Sequence, residues 1–230
     1  MMLTHANDGL NELKTNPLFK DVPESALIQL LGHAIIETWP KRLCFLGSAK
    51  TIHQFYIITS GRIKVYFYNA EKDRKITLFI ITKHDVFDLY HLFNWDHHDV
   101  FYETLDDIQV LSIPLPYLKQ WMLNHISFYK NALQYIMLKM KTLENYVTSS
   151  NLDTTATRLA KLLLQHTNET SQKIEIINGL PHKELAQLIG TTRAVLNRNI
   201  QQFKEDGIID IKNKHIKITN MNLLVNKSKE

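Results

Sequence analysis

The polar side chains best suited to contacting another molecule lie close together near the C terminus. Arg193, Asn197, Arg198 and Gln201 place two guanidinium and two carboxamide groups within nine residues. A guanidinium can donate two hydrogen bonds to the major-groove edge of guanine, and such a contact contributes about 1–3 kcal/mol of discrimination against the wrong base. The chemistry predicted for this stretch is therefore recognition of duplex DNA.

Two predicted helices would position these side chains. Pro181 suits the first position of one helix, and Gly190 ends it because a tight turn there needs a residue that tolerates positive φ. Thr192 is placed to cap a second helix, which begins at Arg193 and continues to about Lys204. Two helices joined by a short turn that contains glycine form a helix-turn-helix, whose second helix enters the major groove.

The apolar residues of the second helix predict which of its side chains point outward. Those expected to face the core are Val195, Leu196, Ile200 and Phe203. Those left on the outer face are Arg193, Ala194, Asn197, Arg198 and Gln201. Residues 208–212 and 215–218 then predict a hairpin, the wing, whose lysines can reach phosphates. The predicted DNA-contacting residues are Thr191, Thr192, Arg193, Asn197, Arg198, Gln201, Lys212 and Lys214.

Two sequence segments carry a resemblance to a known family. Gly190-Thr-Thr-Arg-Ala-Val-Leu-Asn-Arg198, followed by Lys204-Glu-Asp-Gly-Ile-Ile209, resembles the winged-helix signature of the Crp/Fnr regulators. Upstream, Tyr56-Ile-Ile-Thr-Ser-Gly-Arg-Ile-Lys-Val-Tyr66 resembles a strand pair of the same family, and the likeness extends over roughly residues 15–220. The resemblance implies that Arg193 and Arg198 occupy the positions of the family's two base-contacting arginines.

One position departs from the family pattern. The family usually has glutamate directly after the first of the two arginines, whereas this chain has Ala194. A methyl group can touch a thymine methyl but cannot accept a hydrogen bond from a cytosine amino group. The usual half-site of the family is therefore not expected for this chain.

Short predicted strands dominate the first half of the chain. Ile63, Val65 and Phe67 alternate with more polar neighbours, as a half-buried strand requires, and Ser60-Gly61 before them is a turn signal. The predicted strands are residues 55–58, 62–68, 76–81, 85–89, 100–104 and 109–113, after a helical opening at about 9–32, and another short strand is predicted at 174–177. This spacing predicts a small antiparallel barrel or sandwich. The resemblance implies a jelly-roll-like barrel similar to cyclic-nucleotide-binding domains.

A different periodicity follows the strands. Six residues, spaced alternately by four and three, form a heptad seam: Tyr129, Leu133, Ile136, Met140, Leu143 and Val147. A seam of this length predicts a helix that pairs with its counterpart in a homodimer. The alternative is a helix whose seam packs on the barrel of its own chain.

The predicted fold class is α+β, with three parts in chain order. Residues 1–118 form the effector barrel, 119–150 the dimerisation helix, and 151–230 the winged helix-turn-helix domain. The polar stretch 148–153 is predicted to be a hinge before a helix at 154–166.

The residues expected to hold a cyclic nucleotide do not suit that ligand. By resemblance, Asp88-Leu89 and His98-Asp99 stand where relatives that bind cyclic nucleotides have Gly-Glu and Arg-Ser/Thr pairs. The arginine that would neutralise the phosphate is missing, and carboxylates near its place would repel the phosphate. Control by cyclic AMP is therefore not predicted, and the effector is not identified.

Histidines crowd the same region, which raises haem or metal ligation and, with it, the alternative of a haem or small-molecule sensor. His84, His91, His97 and His98 could supply imidazole ligands, but their spacing fits no tight zinc motif. Solvated loop histidines are the commoner case, so neither a metal nor a cofactor is predicted.

Composition limits the remaining classes of protein. Residues 151–230 contain 12 Lys+Arg and 8 Asp+Glu, whereas residues 1–150 contain 15 of each, so the whole net charge of +4 lies where phosphates would be bound. No phosphate-binding glycine loop, nucleophile elbow or HExxH motif occurs, which argues against an enzyme. The lone cysteine, Cys44, excludes an intramolecular disulfide and is expected to be buried.

The sequence also predicts where the protein acts and with what. It has neither an apolar run long enough for a membrane span nor a signal-like start, so a cytoplasmic location without a membrane partner is expected. The predicted partners are double-stranded DNA, a second copy of the chain and, by resemblance, RNA polymerase. A further alternative is an interaction module that uses the seam and has no affinity for DNA.

Overall fold

A computed structural model describes residues 2–71, 73–87, 89–94, 100–213 and 215–230 of the chain. The chain forms two compact units, one of Met1–Tyr68 with Phe79–Lys141 and the other of Asn69–Leu78 with Thr142–Glu230. Helices and antiparallel strands both contribute, so the predicted mixed class of fold is confirmed. None of the helices in the described residues has the length and apolarity that a membrane span requires.

The first part of the chain carries six α-helices among the described residues. They are α1 (Met2–Thr15), α2 (Glu24–Leu31), α3 (Gly47–Thr51), α4 (Leu89–Leu92), α5 (Leu115–Met122) and α6 (Ile126–Leu152), with a 3-10 turn at Pro17–Phe19. The predicted dimerisation helix therefore corresponds to α6, and residues 119–122 belong to α5 instead.

Two antiparallel sheets accompany these helices. Their strands are β1 (Ile35–Trp39), β2 (Cys44–Leu46), β3 (Gln54–Ser60), β4 (Ile63–Asn69), β5 (Arg74–Ile81), β6 (Phe101–Thr104) and β7 (Ile108–Pro114). The orders are β1-β7-β3 and β2-β6-β4-β5, and the described strands do not close into a barrel. Gly61, with φ +86°, turns the chain between β3 and β4 where a Cβ would lie 2.5 Å from Ile108 Cγ2, which explains the Ser60-Gly61 signal.

The strand predicted at residues 85–89 is wrong. Val86 makes a single bridge to Ile57, and Leu89 already begins α4. The Asp85 carboxylate accepts a hydrogen bond from the backbone N–H of Thr82 at 3.0 Å, which turns the chain instead of extending it. Strands β1 and β2 were not predicted because β1 does not alternate in burial and β2 has three residues.

Aromatic rings from both sheets meet in the interior of the first unit. Trp39 on β1 stacks on Phe87 at 5.6 Å, and Phe45 on β2 stacks on Tyr102 of β6 at 5.5 Å. Phe87 also lies 5.1 Å from Tyr102 and 5.6 Å from Tyr56 on β3. We call these five residues the ring cluster, and their contacts hold the two sheets together.

The N-terminal part of α6, as far as Lys141, belongs to the first unit and is held there by polar contacts as well as by packing. Phe128 and Ala132 of α6 are fully buried in the core. One turn further, the Tyr135 hydroxyl donates to Asp85 Oδ1 at 2.8 Å, and Lys139 Nζ lies 2.7 Å from the same oxygen. Burial and the neighbouring carboxylate raise the pKa of Tyr135, so its hydroxyl stays protonated and keeps donating.

Two further local predictions are also wrong. Cys44 is exposed, because β2 is three residues long and turns its side chain outward, with Sγ 3.1 Å from the Tyr66 hydroxyl. The hinge predicted at 148–153 is helical as far as Leu152. There, Ser150 and Asn151 donate to the carbonyl of Val147, so their side chains do not compete with the helix.

The second unit contains the remaining elements of the chain. They are α7 (Thr155–Gln165), α8 (His182–Leu188), α9 (Arg193–Glu205), β8 (Ile209–Lys212), β9 (His215–Ile218) and α10 (Met221–Lys227). Its core joins these elements through Leu159, Leu163, Leu185, Leu196, Phe203 and Leu224.

The strand predicted at residues 174–177 is wrong for a physical reason. Ile174 makes one bridge to Thr167, and the following residues turn. The next side chain, that of Asn178, accepts from the N–H of Ile216 on β9 at 2.9 Å and donates to the Ile216 carbonyl at 3.3 Å. A carboxamide therefore supplies the two hydrogen bonds that a third strand of the wing would have made.

Candidate nucleic-acid interface

The turn between α8 and α9 is built as the sequence predicts. Gly190 has φ +64°, and the N–H of Thr191 donates to the carbonyl of Ala186 at 2.9 Å. Thr192 caps α9, since its hydroxyl accepts from the N–H of Val195 at 3.3 Å. Pro181 lies one residue earlier than predicted, at the N-cap of α8.

Burial on one side of α9 fixes which side faces outward. Leu196, Ile200 and Phe203 are buried, with α7 and α8 packed against α9, and Val195 is half-buried. Arg193, Ala194, Asn197, Arg198 and Gln201 are all exposed, in agreement with the apolar pattern. The recognition surface, defined here by those five exposed residues, therefore lies on a helix that cannot rotate without exposing its core.

The side chains of the two arginines of the recognition surface have no partner among the residues that the structure describes. Within the described part of the chain, neither guanidinium group makes a hydrogen bond or an ion pair. A guanidinium carries five N–H donors and no acceptor. Each therefore presents its donors to an acceptor outside the unit.

The two carboxamides of the surface are already engaged. Asn197 Oδ1 lies 2.6 Å from Nδ1 of His182, the first residue of α8, and Gln201 Nε2 donates to Glu205 Oε1 at 2.9 Å. His182 was not singled out from the sequence, because nothing in a spacing of 15 residues indicates that the two side chains meet.

The wing supplies basic residues from a separate element. Lys212 is exposed at the end of β8 and pairs in register with His215 of β9. Lys217 is exposed on the same hairpin, whereas Lys214 lies outside the described residues.

Most of the residues that the sequence suggested for effector binding lie outside the described part of the chain. Asp88, His97, His98 and Asp99 lie outside the described residues. His91 is buried with Nδ1 3.3 Å from the Thr51 hydroxyl, so it is not a solvated loop histidine. The described residues hold no group of three or more His, Cys, Asp or Glu side chains placed to bind a metal.

Two family models match the two parts of the chain. The Crp-like helix-turn-helix domain matches residues 157–226, and the cyclic nucleotide-binding domain matches residues 43–125. The chain belongs to the Crp/Fnr family. It is a DNA-binding transcription regulator of the Crp/Fnr type, and such regulators are not enzymes.

Individual Crp/Fnr relatives are distant in sequence but similar over most of their length. The CRP-like cAMP-activated global transcriptional regulator of Mycobacterium tuberculosis is 21% identical over 216 residues, covering 92% of this chain and 96% of the relative. A CooA mutant from Carboxydothermus hydrogenoformans has a TM-score of 0.72 at 21% identity, covering 87% of this chain and 90% of that one. FixK2 of Bradyrhizobium japonicum has a TM-score of 0.73 at 16% identity, covering 84% and 96%. These structures establish a shared fold.

Proposed function

We propose that this regulator binds a palindromic duplex site as a homodimer and places α9 of each copy in successive major grooves. The observation that carries the proposal is the pair of exposed arginines, Arg193 and Arg198. Their side chains have no partner among the described residues, and they lie on a helix whose opposite side is buried. Two-fold symmetric dimers of helix-turn-helix proteins bind half-sites about one helical turn, or roughly 34 Å, apart.

Different residues have different roles in this proposal. Arg193 and Arg198 are five positions apart, so their directions around α9 differ by roughly 140° at about 100° per residue. Arg198 shares its side of the helix with Asn197 and Gln201 and is assigned the main base contact. Arg193 contacts a second base or a phosphate. The phosphate contacts are assigned to Thr191, Thr192, Lys212 and Lys214.

The dimer would form through the heptad seam of α6. Leu133, Ile136, Met140 and Val147 are between 38% and 61% exposed, which leaves a row of apolar side chains in contact with water. Tyr129 packs on the core of the first unit, and Leu143 is half-buried. Exposed apolar residues repeated at heptad spacing are typical of a surface that a second helix covers.

Control by a ligand other than cyclic AMP, or by none, is part of the proposal. The rings of Phe87 and Tyr102 are at most 2% exposed and fill the interior between the sheets. In addition, the position at which the family has its phosphate-binding arginine holds His98-Asp99 in this sequence. We expect calorimetry with cyclic AMP and cyclic GMP to show no binding at submillimolar concentration, and micromolar binding of either would contradict this part.

A cytoplasmic site of action and a contact with RNA polymerase complete the proposal. Transcription from a template that carries the selected operator, with and without the protein, tests whether RNA polymerase responds. An unchanged transcript level would contradict that contact while leaving DNA binding intact.

The decisive experiment is selection of bound duplexes from a random pool by the full-length protein. We expect a palindromic consensus, with affinity that falls with salt at a log–log slope near −0.9 for each phosphate neutralised. The Arg193→Ala, Arg198→Ala double variant should lose the consensus, whereas Gln202→Ala, on an exposed residue of α9 outside the recognition surface, should keep it. A consensus that survives the double variant would contradict the proposal.

A further inference from the structure

The contact between His182 and Asn197 joins the two helices of the helix-turn-helix at its exposed face. His182 is the first residue of α8, and its Nδ1 lies 2.6 Å from the carboxamide oxygen of Asn197 on α9. Asn197 is exposed on the recognition surface, one residue before Arg198. The pair therefore lies where a base edge would approach.

Hydrogen-bond chemistry fixes the proton in this contact. A carboxamide oxygen only accepts, so the imidazole must carry its proton on Nδ1 and donate it. This arrangement is satisfied by the Nδ1–H form of neutral histidine and by the imidazolium. Nδ2 of Asn197 has no hydrogen-bond partner among the described residues, and so both of its hydrogens remain available.

The engaged oxygen limits what Asn197 offers to DNA. A free asparagine recognises adenine with both ends of its carboxamide, since the oxygen accepts from N6 and the nitrogen donates to N7. When the oxygen is bound to His182, the side chain presents its donors outward. Donors match guanine, which has acceptors at both O6 and N7, and thymine O4, whereas adenine offers one acceptor, N7, beside an N6 donor that the engaged oxygen no longer matches.

We infer that His182 is a positioning residue for base recognition, which holds Asn197 as a hydrogen-bond donor and directs it away from adenine. The inference rests on the proposed function, because it requires that α9 lie in the major groove. It assigns His182 a role in specificity without a contact between His182 and a base.

The test measures affinity for four duplexes that differ at the one base pair whose preference Asn197→Ala abolishes. For the wild type, we expect guanine or thymine to be preferred at that position. His182→Ala should lower affinity for the preferred duplex about fivefold, the equivalent of one net hydrogen bond, and raise the relative affinity for adenine. His182→Gln, whose amide N–H can also donate, should retain the wild-type preference.

The double variant separates positioning from direct contact. If His182 acts through Asn197, His182→Ala in the Asn197→Ala background should change nothing further. An equal loss on all four duplexes, present in both backgrounds, would show that His182 contacts phosphate and would overturn the inference. Thermal unfolding of each variant accompanies the binding data, and His182→Gln keeps the test valid if His182→Ala unfolds.

Failure of the proposed function would give a different result. If the wild type selects a consensus but Asn197→Ala shifts no position, then Asn197 is not a base contact, and the inference falls while DNA recognition stands. If the wild type selects no consensus, the proposed function itself is wrong.

Discussion

Buried polar groups of the first unit and the two exposed arginines of α9 differ in whether their side chains have a partner among the described residues. In the first unit, buried Lys64 forms an ion pair with Glu103 at 2.9 Å, and the buried amide of Asn131 donates to the carbonyls of Leu18 and Lys20. On α9, Arg193 and Arg198 face solvent and have no partner among the described residues. An internally paired polar group stabilises its own unit, whereas an unpaired donor on a rigid helix is available for recognition.

The largest expected effect comes from charging the seam of α6. Ile136→Asp with Leu143→Asp would require carboxylates to be buried at the dimer interface. The free energy needed to desolvate these carboxylates is far larger than the free energy gained when the two helices associate. We expect monomers in sedimentation and at least about a hundredfold loss of DNA affinity, because a dimer gains from binding two half-sites at once. The control is Leu138→Asp, which charges an apolar residue that is 65% exposed and off the heptad seam. A double variant that stays dimeric would mean that the seam is not the interface.

A second effect concerns the stability of the second unit at low pH. Burial lowers the pKa of His166 from 6.5 to about 4. Between pH 4 and pH 6.5, the imidazole of His166 is therefore protonated in the unfolded chain and neutral in the folded chain. Folding stability should be complete above pH 6.5 and fall as the pH is lowered towards 4, by about 3 kcal/mol in total. Denaturant unfolding of the wild type and of His166→Gln across this range measures it, and an equal slope in both would contradict the assignment.

Loss of one guanidinium from the recognition surface should weaken the free energy of DNA binding by up to about 3 kcal/mol. Arg198→Ala is expected to cost about 1–3 kcal/mol on the selected site and to flatten the preference at one or two base pairs. Arg198→Lys should restore charge without the two-pronged geometry, so specificity should stay reduced. Lys204→Ala, near the C-terminal end of α9, is the matched control. Equal weakening on every sequence would reassign Arg198 to phosphate.

A smaller effect, on the free energy of unfolding, is expected where the N-terminal part of α6 contacts Asp85 within the first unit. Tyr135→Phe removes the hydrogen bond to Asp85, while Lys139 and the N–H of Thr82 still contact that carboxylate. We expect a loss of about 1–2 kcal/mol in unfolding free energy and no change in base preference. A changed consensus would show that internally paired groups also determine which sequence is bound. It would contradict the distinction between paired groups that stabilise the fold and unpaired groups that recognise DNA.

The smallest effect is expected on the wing. Lys212→Ala should weaken binding to all duplexes about equally and reduce the magnitude of the salt slope by about one. Affinity measured at several salt concentrations on selected and random duplexes gives both quantities. Loss of specificity instead of overall affinity would assign Lys212 to a base.

The helix-turn-helix was predictable because its determinants are local. The cap Thr192, the turn glycine Gly190 and the apolar period of α9 all lie within one short segment, and the structure confirms each of them. Burial and exposure along α9 follow from that period alone. The DNA-contacting roles remain predictions.

The features that were missed depend on residues distant in sequence. The carboxamide of Asn178 meets β9 across 38 positions, so no local pattern distinguishes it from a turn residue after a strand. His182 and Asn197 lie on different helices, and their contact depends on how α8 and α9 pack. Strand β2 was missed because three residues carry too little periodicity.

The carboxamide of Asn178 has a consequence for how the protein behaves at high concentration. The outer edge of a two-stranded hairpin exposes backbone donors and acceptors that can recruit a strand from another molecule. At Ile216 both of these groups are already satisfied by Asn178, so that part of β9 offers no template for edge-to-edge growth. A single side chain thus blocks strand addition at this point of the wing.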